Sequence, residues 1–296
     1  MEESKIHPNI IPLGRTLKNY TIGIIGGLGQ IGSFFSSLFS SDEIRVLISD
    51  VSTSLTNSDL VIASDIVIIS VPIDQTVNVI NEIAADLTPE KLVIEMTSVK
   101  MEPTSALLKS SADIIGIHPM FNPSVGTITK QTMVMTPVRD RNDWLPIFQG
   151  YFEEKDVKLK ITTPENHDQM MSLIQVLIHY NSISIGITMA KMGFDIHETL
   201  EYTSPIYRME LAMIGRIFAQ NGRLYGSIPM HNPFTQKTLL EHKLTLEEMS
   251  KIILTKDLAG FMEKFQFASS FFENFKEKAM EESNQLIKHM VKLNDN

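Results

Sequence analysis

Tyr20-Thr21-Ile22-Gly23-Ile24-Ile25-Gly26-Gly27-Leu28-Gly29-Gln30-Ile31-Gly32 runs from an apolar, β-branched segment through a cluster of glycines. Tyr20 to Ile25 predicts a short buried strand. Ile31 to Phe39 predicts a helix. Gly27, Gly29 and Gly32 stand in a G-x-G-x-x-G spacing, with Leu28, Gln30 and Ile31 between them. A strand, a glycine turn and a helix in that order form the setting in which the spacing binds a dinucleotide. Gly27 permits the tight turn, Gly29 lets the backbone approach a pyrophosphate, and Gly32 lets helix and strand pack closely. The amides at the helix start face the phosphates. Asp50 lies 18 residues beyond Gly32, at the end of a second apolar strand, Ile44 to Ile48. An acid there accepts ribose hydroxyls and repels a 2′-phosphate, which predicts NAD rather than NADP. Without a ligand, the same residues would be a glycine-rich turn and a helix-capping aspartate.

The alternation continues outward. Ile66–Val71, Leu92–Met96, Ile114–Ile117 and Met133–Met135 predict further strands, with helices over Thr76–Ala85 and Asn142–Glu153. Strands alternating with helices predict a parallel sheet covered on both faces, an α/β doubly wound domain of Rossmann type. Near Thr163 the texture changes. Glu165 to Met192 has no proline and one glycine, with apolar residues at helical spacing. Ser204–Ala219 opens on a Ser-Pro pair, and Leu246–Leu258 and Gly260–Leu293 continue the pattern. The expected organisation is a polar lead-in over 1–18, a dinucleotide-binding domain over 19–163, and an all-helical substrate and dimerisation domain over 164–296. Its many Met and Phe residues are read as core and helix contacts.

Composition narrows the function classes. The 296 residues are 43% hydrophobic and carry 26 Lys and Arg against 35 Asp and Glu, a net charge of −9. Such a chain repels nucleic-acid phosphate, so no nucleic-acid partner is expected. The absence of cysteine removes disulfides, thiolate nucleophiles and zinc–thiolate sites. The N-terminal residues show no signal-peptide pattern, and no uninterrupted apolar run reaches membrane length. A cytoplasmic location with no membrane partner is expected.

Chemistry-bearing residues gather where the strands end. Ser70-Val71-Pro72 closes the third strand, and Thr97-Ser98-Val99-Lys100 follows the fourth. These are the carboxyl ends at which open α/β sheets bind ligands. Gly116-Ile117-His118-Pro119 puts a histidine at the same edge. A histidine beside a nicotinamide can take a hydroxyl proton while hydride leaves the same carbon; elsewhere it is a structural hydrogen-bonder. In the helical half, Arg208 and Arg216 lie eight residues apart, roughly 80° around a helix. Their planar guanidinium groups suit a substrate carboxylate as well as they suit salt bridges. His167, Asp168 and His179 do not converge clearly on a metal, and none is expected.

Together, GGLGQIG (26–32), VIISVPI (67–73), TSVK (97–100), GIHPMFNP (116–123), ENHDQ (165–169) and SPIYRMELAMIGRIFAQ (204–220) closely resemble prephenate dehydrogenase, in particular the dehydrogenase half of fused chorismate mutase/prephenate dehydrogenases. The resemblance covers about residues 20–290. It implies NAD-dependent oxidation of prephenate at C4 with loss of carbon dioxide, giving 4-hydroxyphenylpyruvate for tyrosine. It also implies a homodimer formed through the helical region. His118 matches the histidine that assists deprotonation of the C4 hydroxyl, and Ser98 a serine near it. Arg216 matches an arginine that binds a substrate carboxylate. Arg208, His167, His179 and Lys100 match polar residues of the substrate pocket. About 18 residues precede the first strand, so a separate mutase is expected to supply the substrate. Ile178 stands where the family has arginine, and Asn122 where glycine is usual. The 4-amino analogue of prephenate, a precursor of aromatic amines, would suit the same fold and cofactor. A non-catalytic NAD and keto-acid sensor would not need His118, Ser98 and Arg216. A β-hydroxyacid dehydrogenase would need a lysine that Glu165 to His179 lacks.

Overall fold

The computed structural model describes residues 15–293. It divides into two compact units. One takes in the chain up to Met171 together with Ser227–Pro233, and the other Ser172–Gly226 together with the chain from Phe234 onward. Of the polar lead-in, residues 1–14 lie outside the described residues, and Leu17–Asn19 form one 3-10 turn.

The first unit is built on seven strands. They are β1 (Thr21–Ile25), β2 (Arg45–Ser49), β3 (Ile66–Ile69), β4 (Leu92–Glu95), β5 (Asp113–Pro119), β6 (Thr132–Arg139) and β7 (Lys158–Ile161). The order across the sheet is β2-β1-β3-β4-β5-β6-β7. Only the β5–β6 pair is antiparallel, with His118 opposite Val134. Helices α1 (Gln30–Ser41), α2 (Asn57–Ile62), α3 (Ile73–Ile83), α4 (Met101–Leu107), α5 (Trp144–Glu153) and α6 (Pro164–Met171) connect and flank the strands. The expected Rossmann-type domain is therefore present, with an antiparallel pair inside the otherwise parallel sheet.

Side-chain alternation splits the core in two. Ile22, Ile24, Ile66, Ile68, Leu92, Ile94, Ile115 and Ile117 meet the aromatic rings of Phe35, Phe39, Trp144, Phe148 and Phe152. Ile25, Val67, Ile69, Val93 and Ile114 face Leu60, Ile80, Ile83 and Leu107 on the other side. Because both faces are covered, the strands read as continuous apolar runs rather than alternating ones.

The second unit is helical. It contains α7 (Ile178–Met192), α8 (Ile196–Glu201), α9 (Pro205–Phe218), α11 (Thr235–Leu254), α12 (Leu258–Phe272) and α13 (Phe275–Leu293). α10 (Gly222–His231) contributes its first turn here and its remainder to the first unit. α9 opens with Ser204 as N-cap and Pro205 at its first position, as the Ser-Pro pair predicted. Between α6 and α7, Ser172–Leu177 forms a π-helical stretch that periodicity did not reveal. By length and composition alone, the helix over Pro164–Met192 could cross a bilayer. Its first turns carry the buried His167 and Asp168, whereas its α7 portion has no buried residue.

Candidate active site

The glycine turn has the expected strand and helix on either side, with one reassignment. The left-handed backbone belongs to Gly26 (φ 79°), where a Cβ would meet the Ser70 carbonyl oxygen at 2.4 Å. Gly27, expected to carry the turn, instead packs on Ile48: a Cβ there would lie 2.4 Å from Ile48 Cγ2. Gly32, expected to let helix and strand pack closely, lets α1 approach the turn, since its Cβ would sit 2.3 Å from the Gly26 carbonyl oxygen. Gly29 caps α1 and leaves its Cβ position 3.3 Å from the nearest atom. With no side chain at Gly29, the backbone there is what a pyrophosphate would approach. Leu28, Gln30 and Ile31 line the turn, and Leu28 is 56% exposed. Asp50 follows β2 and accepts the Leu28 N–H at 3.0 Å, so its carboxylate already lies at the turn. These residues fit a dinucleotide. Ser70, Val71 and Pro72 follow β3, and Ser98 follows β4, all at least partly exposed at the same end of the sheet.

Inside this edge lies a charged cluster with no exposure to solvent. Glu95 ends β4 in an otherwise apolar strand, and its Oε1 lies 2.6 Å from Lys100 Nζ. Its Oε2 accepts the Thr97 N–H at 3.0 Å. The Lys100 ammonium also donates to the Thr97 carbonyl at 2.7 Å and to the Ile117 carbonyl at 2.9 Å. Those three acceptors match the three N–H donors of an ammonium. Lys100 was expected to touch substrate; in the structure it is fully buried and ties the β4–α4 loop to the residue before His118. Gly116 makes room for the pair, because a Cβ there would fall 2.7 Å from Glu95 Oε1 and 2.9 Å from Lys100 Cδ.

His118 and His167 are brought together. His118 Nδ1 lies 2.9 Å from His167 Nε2, and His167 Nδ1 lies 2.8 Å from Asp168 Oδ1. Asp168 accepts the backbone N–H groups of Lys100 (2.8 Å) and Met101 (2.9 Å) at the start of α4. His118, His167 and Asp168 are all buried. Burial pushes the His118 pKa well below the usual histidine range, and the Lys100 charge and His167 add to the effect. His118 is thus held as a neutral imidazole, the form that can accept a proton.

The remaining candidates belong to the second unit. His179 is on α7, edge-on to Tyr225 with ring centroids 4.8 Å apart, and burial lowers its pKa. Arg208 and Arg216 are exposed on α9, and Arg208 borders an apolar groove of about 710 Å³. Ile178 is 56% exposed. Asn122 has φ −89°, a conformation with no need of glycine, and its side chain accepts the Ser124 N–H. Among the described residues no group of three His, Cys, Asp or Glu could hold a metal.

A nucleotide turn and a buried histidine at the same carboxyl-end edge of a Rossmann-type sheet, with a helical unit following, are the parts an NAD-dependent dehydrogenase requires. Residues 44–161 match the family described as prephenate dehydrogenase, nucleotide-binding domain, and residues 163–267 its dimerization domain. The chain belongs to the prephenate dehydrogenase family. It is 31% identical over 271 residues to the T-protein of Haemophilus influenzae, covering 90% of this chain and 71% of that one. It is also 31% identical over 273 residues to the "Probable arogenate/prephenate dehydrogenase" of Methanocaldococcus jannaschii, covering 86% of this chain and 61% of that one. This chain thus spans less than two thirds of the latter relative's length. Prephenate dehydrogenase from Aquifex aeolicus, solved with hydroxyphenyl propionate and NAD+, superposes with a TM-score of 0.66 at 15% identity, covering 88% of this chain and 99% of that one. Synechocystis arogenate dehydrogenase superposes with 0.66 at 18% identity, covering 86% and 99%. These two structures speak for the fold.

Proposed function

We propose that this chain oxidises prephenate to 4-hydroxyphenylpyruvate, with release of carbon dioxide, in the synthesis of tyrosine. The observation that carries the reading is His118, buried and held neutral at the sheet edge, in a chain of the prephenate dehydrogenase family. Gly26, Gly27, Gly29, Gly32 and Asp50 would hold NAD, with Ser70–Pro72 and Thr97 beside the nicotinamide end. NAD, when bound, supplies the hydride acceptor. His118 accepts the proton of the C4 hydroxyl as hydride leaves C4, and Ser98 orients that hydroxyl. The bond from the ring to its carboxylate then breaks, its electrons aromatise the ring, and carbon dioxide departs. Aromatisation drives the step, so the protein's part is positioning and deprotonation. By the family resemblance, Arg216 would bind a substrate carboxylate, with Arg208 and His179 as further substrate-binding residues. The helical unit joins two copies of the chain, supported by its match to the family's dimerization domain and by its apolar groove.

Purified protein incubated with NAD and, separately, prephenate, arogenate or 4-amino-4-deoxyprephenate tests the reading through NADH absorbance. A kcat/KM for prephenate at least ~100-fold above the others, about 2.7 kcal/mol of discrimination, supports it. A preference for arogenate or for the 4-amino substrate overturns the substrate assignment. No NADH from any of the three overturns the reaction.

A further inference from the structure

We propose that Asp168 is a positioning residue that acts through His167 to fix the proton of His118 on Nδ1, so that Nε2 carries the lone pair. The inference rests on the reading of His118 as the proton acceptor and adds what prepares it. Asp168 is itself immobilised. Its two oxygens accept the backbone N–H groups of Lys100 and Met101, and its own carbonyl accepts Asn232 Nδ2 at 2.8 Å. A carboxylate in that position can only accept, so the proton on the facing His167 Nδ1 stays there. With that proton on Nδ1, His167 can offer the lone pair of Nε2 to His118 Nδ1 at 2.9 Å. One proton lies between those two nitrogens, and it belongs to His118. A ring nitrogen's state is set by the hydrogen bond that the other nitrogen makes. A carboxylate behind a histidine orients functional imidazoles in the same way in metal sites and hydrolytic triads. Here a second imidazole stands between.

The surroundings favour this arrangement. Among the described residues, the charged groups linked to His118 include Glu95 from β4, Lys100 from the β4–α4 loop, and Asp168 from α6 beside the titratable His167. β6 presents Val134 opposite His118. Lys100 adds positive charge close to the imidazole through its bond to the Ile117 carbonyl, which disfavours a second proton on the ring. The opposite tautomer, with the proton on Nε2, is the one a histidine in water prefers. It would leave His118 unable to accept the hydroxyl proton at that nitrogen. The relay therefore selects the competent form before substrate arrives.

The experiment is nitrogen-15 NMR of the full chain labelled at histidine, with NAD present, read at neutral pH. The His118 signals are identified by their loss in His118→Asn. In the wild type, His118 is expected as the Nδ1–H tautomer. In His167→Phe, which keeps a ring but removes the acceptor, and in Asp168→Asn, the Nε2–H tautomer should dominate. Kinetics should then show kcat reduced at least tenfold with NAD binding unchanged, a split that general loosening would not give. A wild-type His118 protonated on Nε2 overturns the proposal. So does an unchanged tautomer in His167→Phe, which remains decisive should Asp168→Asn fail to fold. The tautomer is read without substrate. Absent turnover in the wild type would therefore remove the proposed reaction and leave the relay standing.

Discussion

Lys100 Nζ stands 2.6 Å from Glu95 Oε1, and neither side chain has any exposed surface. Removing one partner strands the other charge in protein. Lys100→Met or Glu95→Leu should each cost about 3–5 kcal/mol, because a buried charge left alone loses far more than the pair contributes. The double variant should cost clearly less than the sum, since it leaves no orphaned charge. Urea unfolding of the three variants measures this. Single-variant losses below ~1 kcal/mol would show a pair that water reaches.

His118 supplies a pH signature. Its folded pKa is depressed, first by burial and then by Lys100 and His167. In the unfolded chain it titrates near about 6.5. Below that pH the unfolded state binds a proton that the folded state refuses. Stability therefore falls as pH drops from the unfolded value toward the lower folded one, by up to about 1.4 kcal/mol per pH unit. His179 acts in the same direction, so the wild type must be compared with His118→Gln, which should lose one proton's share of the slope. The acid limb of kcat/KM should likewise lie below the ordinary histidine range. An acid limb at or above about 6.5 would mean that His118 is not held neutral in the free enzyme.

Much of this arrangement can be read without coordinates, for physical reasons that also explain the omissions. β1 from Ile22, β3, and β4 up to Ile94 are buried on both faces, and their sequences read as apolar runs. β7, with its exposed Lys158 and Lys160, offers no such run and is silent in the sequence. The nucleotide turn is legible because glycine spacing is a backbone requirement, yet which glycine takes the positive φ depends on where Ser70 comes to rest. Glu95 gave a signal that went unused. A charge closing the apolar run Leu92-Val93-Ile94 must be paired if the strand is buried. Its partner Lys100 and the chain of contacts through Asp168 follow from tertiary approach, 68 residues apart for Lys100 and Asp168, and no spacing rule contains it.

Two glycines of the turn should respond differently. A Cβ on Gly32 would meet backbone atoms of Gly26 and Gly27 at 2.3 and 2.9 Å, which cannot rotate away. Gly32→Ala should therefore lose both stability and NAD binding. A Cβ on Gly29 would meet only the Gly26 carbonyl oxygen closely, at 3.3 Å, a tight contact that a shift of a few tenths of an ångström relieves, so Gly29→Ala should lose less stability than Gly32→Ala. The methyl group would stand where the pyrophosphate must approach, and NAD affinity should fall about tenfold or more, ~1.4 kcal/mol. Thermal unfolding with and without NAD, together with fluorescence titration, separates the two. Equal NAD affinity in Gly29→Ala and wild type would move the phosphates away from this turn.

Asp50 is the proposed discriminator between the dinucleotides. With its carboxylate at the turn, an extra 2′-phosphate would meet a like charge. Asp50→Ala should weaken NAD and strengthen NADP relative to it, narrowing the ratio of their kcat/KM values by about tenfold, or ~1.4 kcal/mol. The Leu28 N–H also loses its acceptor, so some weakening of both dinucleotides is expected. An unchanged ratio would place the discriminating group elsewhere.

The groove on the second unit supports an oligomer. It holds about 710 Å³ between α7, α8 and α9, and Phe194, Phe218 and Ile196 on its walls are 72%, 55% and 47% exposed. A folded chain rarely leaves that much adjoining apolar surface to water unless a partner covers it. The match of residues 163–267 to a dimerization domain supports a second copy as the proposed partner. Gly186 shapes the wall, since a Cβ there would lie 2.3 Å from Phe218 Cε2. Sedimentation equilibrium of the wild type should give a dimer at micromolar concentration. Phe194→Glu would place a charge on the covered face, whose desolvation costs several kcal/mol, and should shift the equilibrium toward monomer with the nucleotide-binding unit still folded and binding NAD. If Phe194→Glu sediments as the wild-type dimer does, the copies meet through another face, and the exposed phenylalanines of α12, Phe265, Phe267, Phe271 and Phe272, are the next surface to charge.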